Sequence, residues 1–468
     1  MGTRPRPFAC TFWAANRSPA ARPCFVRTLR KPRMADVHYH IAQPGPRSRY
    51  MLAHLLGTMA GWQAEEVPDA EAFRNVETPK LVYGHQALEG AFHVVPCGLL
   101  EQAGLMRGKP GVESIQGMPQ LFPTKGGHLS FDPFSAAFFL LSRMEEYGFA
   151  ARDGHGRPLA RELHGARHGY LERPVVDEWL LHLAAAWRRA DPRVPALRRK
   201  YMQTATLDVD NGAMYLGREW WRSAGAAVRD LLHGRPGSVR DRLAVLAGAK
   251  ADPYAVHAAF LDVAERTGAR AIVNFLVADR GRYDHAISLR SPFLQDVLRQ
   301  VVRRASVGLH PGYGSSDAPA RMAVEKQRLE EHAGVAVTQS RQHYLRMKLP
   351  GTYRALEQLG IREEHSMGMA DAVGFRAGTC TPYPFYDLEA EASTALTIHP
   401  FAVMDSVPAY KLRLTPQEAV IRAKQLVDAV RAVQGTFISV WHERFLSGYG
   451  DEAGWQGVAP EVLEYARP

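Results

Sequence analysis

After Lys200 the chain alternates between short apolar runs of strand length and longer stretches with helical period. The runs are 204–210, 271–277, 306–310, 335–341, 373–376, 395–399 and 436–442. Helices are predicted between most of them, over 252–267, 291–304, 318–333 and 416–433, with Pro253 suited to a first helical turn. Strand–helix alternation implies a parallel sheet covered by helices. About seven such units over ~265 residues predict a closed or nearly closed barrel. Before Lys200 the pattern is mixed. Residues 52–62 and 175–187 read as helices, 80–83 as a strand, and 131–147 as an apolar helical stretch. A polar, glycine-rich stretch at 153–158 reads as an exposed loop, which makes Asp153 and His155 loop residues.

The predicted strands carry their polar residues last: Asp208 and Asp210, His310, Arg341 with His343, Arg376, His399, and His442. In a parallel barrel the C-terminal strand ends converge on one mouth. A single histidine in such a place is usually a satisfied core residue; six strand ends loaded alike point to a site. One carboxylate with two neutral imidazoles suits a catalytic divalent ion such as Zn2+. A second carboxylate can take a proton from water and a protonated histidine can give one to a leaving group. That inventory fits hydrolysis of an amide or ester.

Net charge changes the picture less than its size suggests. Of the +10, eight positive charges lie before the first acidic residue, Asp36, which leaves +2 for the rest. The basicity belongs to residues 1–35, expected to be a tail outside the folded unit: a disordered extension, a targeting peptide, or sequence upstream of a start at Met34. No nucleic-acid surface is expected. The longest strongly apolar run, 134–141, is far shorter than the ~20 residues of a membrane span and reads as a buried helix. Four cysteines without a C-x-x-C pair exclude a thiolate zinc site and a disulfide framework, and point to a reducing, cytoplasmic setting.

Four segments carry a family resemblance. Thr206-Leu207-Asp208-Val209-Asp210, Val307-Gly308-Leu309-His310-Pro311, Gly374-Phe375-Arg376-Ala377-Gly378 and Phe437-Ile438-Ser439-Val440-Trp441-His442 resemble, in order, motifs of the polysaccharide deacetylases (carbohydrate esterase family 4, NodB homology domain). The resemblance spans about 200–455. It implies a distorted (β/α) barrel over 199–468, preceded by an accessory α/β domain over 36–198 that resembles an uncharacterised domain found before such barrels. It implies Asp208 as general base, Asp210 and His310 as metal ligands, Arg376 holding the base, and His442 as general acid; Asp405 is a separate candidate to orient His442, its alternative being a local turn bond. The substrate would be an N- or O-acylated glycan or amino sugar.

One position departs from the pattern. Where the second motif brings another histidine four residues after His310, this chain has Gly314. His343 is the expected third ligand; its alternative role is contact with substrate, and His399 is a further candidate. Without a third ligand, the alternative is a non-catalytic glycan-binding or assembly protein on a decayed deacetylase barrel. A metal hydrolase acting on another bond, such as a phosphoester, would want more carboxylates than these strand ends offer. Trp441, Tyr313 and Tyr383 are candidates for stacking on a sugar ring.

Overall fold

The computed structural model describes residues 35–148 and 151–468; the basic tail expected over 1–35 lies, but for its last residue, outside them. Residues 35–468 make one compact mixed α/β unit with two main sheets. The smaller has four parallel strands, β1 (Val37–Ile41), β2 (Ala64–Glu66), β3 (Lys80–Tyr83) and β4 (Phe92–Val94), in the order β2-β1-β3-β4. A hairpin of β5 (Val112–Ile115) and β6 (Met118–Leu121) follows.

The apolar run at 134–141 is a helix, Pro133–Leu141, buried on every face. Its start is set by Asp132, whose carboxylate accepts from the amides of Phe134 and Ser135, with Pro133 in the first turn. Arg143 ends the segment in the left-handed region, φ 55. A single hydrophobic core runs from this helix and Val175–Ala190 into the larger sheet.

The larger sheet has nine strands. In chain order they are β7 (Met202–Val209), β8 (Arg270–Leu276), β9 (Ser306–His310), β10 (Gln339–Ser340), β11 (Glu363–Glu364), β12 (Tyr383–Asp387), β13 (Ala392–Ile398), β14 (Val403–Met404) and β15 (Thr436–His442). Their spatial order is β12-β13-β11-β10-β9-β8-β7-β15-β14. All neighbours are parallel except the β12–β13 pair. The helices Pro292–Arg304, Pro319–Ala333 and Pro416–Ala432 match those predicted between strands, whereas the fourth, His257–Thr267, starts five residues later than predicted, so Pro253 lies in a turn ahead of it and not in its first turn.

The sheet curls strongly. Arg270 on β8 and Glu363 on β11 pair at 2.8 Å although two strands separate them, a span of roughly 14 Å in a flat sheet. The ladder nevertheless does not close among the described residues: β12 and β14 remain its two ends. Single hydrogen bonds bridge part of the gap, from the Gly374 amide to Ala402 O (2.9 Å) and from the Phe401 amide to Met367 O (3.0 Å). The predicted strand at 373–376 is therefore a loop. Gly374 sits there at φ 116, where an added Cβ would lie 2.5 Å from Leu171 O, so only glycine fits.

Candidate metal and acid–base centre

The C-terminal ends of β7, β9, β10 and β15 deliver the polar residues to one cavity of about 360 Å³. Asp208 is the penultimate residue of β7, and Asp210 follows the strand as the chain turns away. Their spacing of two residues puts both carboxylates on one face of the strand, and both reach the cavity.

Asp210 lies between two imidazoles. Its Oδ1 is 3.4 Å from His310 Nε2 and 3.7 Å from His343 Nε2, and this buried oxygen accepts no hydrogen bond among the described residues. Each histidine is held from behind. His310 Nδ1 lies 2.5 Å from the carbonyl of Arg341, and His343 Nδ1 lies 2.8 Å from Asp284 Oδ1. Because a carbonyl accepts only, His310 carries its neutral-state proton on Nδ1; the carboxylate favours the same tautomer in His343. Both Nε2 lone pairs then face Asp210, and the three ligand atoms lie within 4.8 Å of one another. Orphaned carboxylate oxygen, paired imidazole lone pairs and outer hydrogen bonds together fit a divalent metal ion.

The chain reaches His343 by an unusual route. After Gln342 the backbone enters a tight turn in which Tyr344 and Leu345 both have positive φ, 60 and 55. Two successive non-glycine residues in this region are costly, on the order of 1–2 kcal/mol each. Asp284, the Arg157–Tyr344 bond (3.1 Å) and the Arg346–Tyr313 bond (2.6 Å) hold the segment there.

Asp208 forms the second half of the centre. Its Oδ1 accepts from Asn274 Nδ2 at 2.8 Å and Arg341 Nη1 at 2.9 Å, which leaves Oδ2 facing His442 Nε2 at 4.0 Å. Burial works against ionisation, but Arg341, His310 and His442 outweigh it and keep the carboxyl below the usual range. His442 donates its main-chain amide to Asp405 Oδ2 at 2.7 Å, and its Nδ1 is 2.6 Å from Asp405 Oδ1. Burial opposes its positive charge, yet Asp405, Asp210 and Asp208 together push its pKa up to about 9. The imidazolium form is thus available at neutral pH.

The expected contact of Arg376 with Asp208 is corrected by the structure. Arg376 lies in the loop after Gly374, and its Nε and Nη2 fork onto Glu146 at 2.9 and 2.6 Å. Glu146 also accepts from Arg143 Nε at 2.8 Å; the two arginines overcome burial and hold its carboxyl at about 2. A bidentate fork satisfies both partners in this buried setting, and the loop backbone aims the guanidinium away from β7. Arg341, beside β10, takes the place on Asp208.

Three further placements differ from expectation. Trp441 and Tyr383 are buried in the core and present no ring to the cavity, whereas Tyr283 and Tyr344 line it and Tyr313 packs on Tyr283 at 4.1 Å. His399 lies with Glu363 and His365, apart from Asp210. His155, read only as a loop residue, reaches the cavity from the N-terminal segment, 3.0 Å from the Tyr313 hydroxyl.

Sequence reasoning missed Asn274, Asp284 and Arg444. Asn274 had a visible signal, a lone amide inside the apolar run Ile272-Val273-Asn274-Phe275-Leu276. Asp284 lies in an irregular loop with no pattern to mark it. Arg444, 3.4 Å from Asp210 Oδ2, falls just beyond the last predicted strand.

The model of a family of unknown function (DUF7033) matches residues 37–192. No curated protein matches. Among solved structures, a protein described as a polysaccharide deacetylase from Mycobacterium smegmatis is 15% identical with a TM-score of 0.37, covering 57% of this chain and 84% of its own. A family 4 carbohydrate esterase from Streptomyces lividans, solved with acetate, is 10% identical with a TM-score of 0.27, covering 56% and 86%. A polysaccharide deacetylase from Bacillus cereus is 10% identical with a TM-score of 0.28, covering 57% and 86%. No helix among the described residues is long and apolar enough to cross a membrane.

Proposed function

We propose that this protein is a metal-dependent hydrolase that removes the acyl group from an N-acylated amino sugar or glycan. The observation that carries the reading is the convergence, in one cavity, of the Asp210–His310–His343 cluster with Asp208 and the Asp405-held His442. The four motifs that resemble the polysaccharide deacetylases support it, and His343 supplies the ligand that Gly314 withholds.

A divalent ion held by Asp210, His310 and His343 would polarise an acyl oxygen and make water more acidic. Asp208 Oδ2 accepts the proton of the attacking water while Asn274 and Arg341 fix the carboxylate through Oδ1. His442 Nε2–H delivers a proton to the leaving nitrogen, and Asp405 stabilises the imidazolium and its orientation. The 4.0 Å gap between Asp208 and His442 leaves them unbonded to each other and open to a reacting group.

The cavity lies at the small end of the ~300–1,000 Å³ range for small-molecule sites. Tyr283 and Tyr344 offer aromatic surface for a sugar ring, and Arg157, Lys411 and Arg444 offer donors to its oxygens. Acetate release from N-acetylated oligosaccharides by metal-loaded protein tests the reading. Release by wild type that collapses in Asp208→Asn supports it. A metal-loaded wild type that binds these glycans without releasing acetate would point to the glycan-binding alternative.

A further inference from the structure

A second set of potential ligands lies outside the cavity. β11 and β13 are parallel neighbours, with Glu363 opposite Thr397 and Glu364 opposite Ile398. Alternation puts Glu363 and His365 on one face, and His399 joins them from the end of β13. Glu364 faces the other way, where the Tyr353 hydroxyl and Ser366 bind it.

On the shared face, Glu363 Oε2 is 3.3 Å from His399 Nε2 and 3.7 Å from His365 Nε2. The two rings stack at 4.5 Å with an interplanar angle of 24°. His365 is fully buried, and neither of its ring nitrogens has a hydrogen-bond partner among the described residues; His399 Nε2 also lacks one. Leaving such groups unsatisfied in the interior is destabilising. One carboxylate oxygen cannot satisfy them all, particularly as it already accepts from Arg270 Nη2 at 2.8 Å.

We propose that Glu363, His365 and His399 form a second site for a divalent transition-metal ion of the zinc class. One ligand atom from each residue lies within 4.8 Å of the others, and two imidazoles with a carboxylate suit such an ion. None of the three lines the cavity that holds Asp210. The ion therefore acts as a clamp, joining β11 to β13 where their ladder is only two residues long.

The test counts ions bound by chelator-stripped protein titrated with Zn2+. Wild type is expected to take up two per chain. Glu363→Gln/His399→Gln should take up one, His310→Gln/His343→Gln one, and the fourfold variant none. The cavity reading and the clamp fail separately, because each pair of substitutions removes its own ion. Equal stoichiometry and affinity in wild type and Glu363→Gln/His399→Gln would overturn the clamp. Should that variant not fold, the partly exposed Glu363→Gln alone is expected to weaken one ion by at least tenfold, and unchanged affinity for both ions would refute the proposal.

Discussion

Arg341 Nη1 donates to Asp208 Oδ1 at 2.9 Å, both side chains being buried. Arg341 also gives Nη1 to Thr206 Oγ1 and Nε to the carbonyl of His365, so its guanidinium is fixed before any substrate arrives. The charge that keeps Asp208 ionised thus comes from the strand end of β10, two residues before His343. The proposed base and the proposed third ligand are positioned by one short segment.

Removing that charge should expose what it does. Arg341→Met removes the largest of the influences that hold the Asp208 carboxyl down, so its pKa rises. The acid limb of kcat/KM is expected to move to higher pH by a unit or more, as read from the pH–rate profile. An unchanged acid limb would mean that another group sets it.

Arg376 should behave differently, as a structural partner. Arg376→Ala leaves the buried Glu146 carboxylate with Arg143 as its remaining partner and is expected to cost about 1.5–3 kcal/mol in unfolding free energy. Replacing both ends, Arg376→Met with Glu146→Leu, leaves the buried Arg143 with Glu145 as its carboxylate partner and should recover only part of that loss. Denaturant unfolding of the single and double variants checks this.

His442 gives a pH prediction whose sign is fixed. Its folded pKa, about 9, lies above its ordinary value of about 6.5. Its imidazolium therefore stabilises the fold fully below about 6.5, and that contribution is lost as pH rises through about 9. NMR titration of metal-free protein should place His442 near the upper value. Asp405→Asn should lower it, and an ion on Asp210 should lower it too by neutralising that carboxylate. No displacement in Asp405→Asn would contradict the orienting role.

Asp284 holds His343 from behind, and such outer partners are typically worth 10–100-fold in metal affinity. Asp284→Asn is expected to weaken one bound ion by that factor, measured by competition with a chelating dye, and to leave the Glu363 site unchanged. Equal affinity at both sites would assign Asp284 to the loop alone.

The legible parts of this molecule were those where one local pattern decides the outcome. Strands β9 and β15 were readable because apolar runs end in a histidine, and the helix Pro133–Leu141 because it is apolar throughout. Asp208, Asp210, His310 and His343 were readable because strand ends of a parallel sheet point one way. That Arg376 leaves Asp208 was hidden because a buried Glu146 captures it, a contact 230 residues apart in sequence. Asp284 was hidden for a similar reason: its role comes from a loop folded back onto His343. The open ladder could not be read either, since a glycine forced by Leu171 turns the predicted strand at 373–376 into a loop.

The most direct test of the central claim is acetate release from N-acetylated oligosaccharides by Zn2+-loaded wild type beside His343→Ala. The proposed centre predicts release by wild type, its loss on chelation, its return with Zn2+, and a fall of about a hundredfold or more in His343→Ala. Release that persists without metal, or that His343→Ala leaves intact, would contradict it.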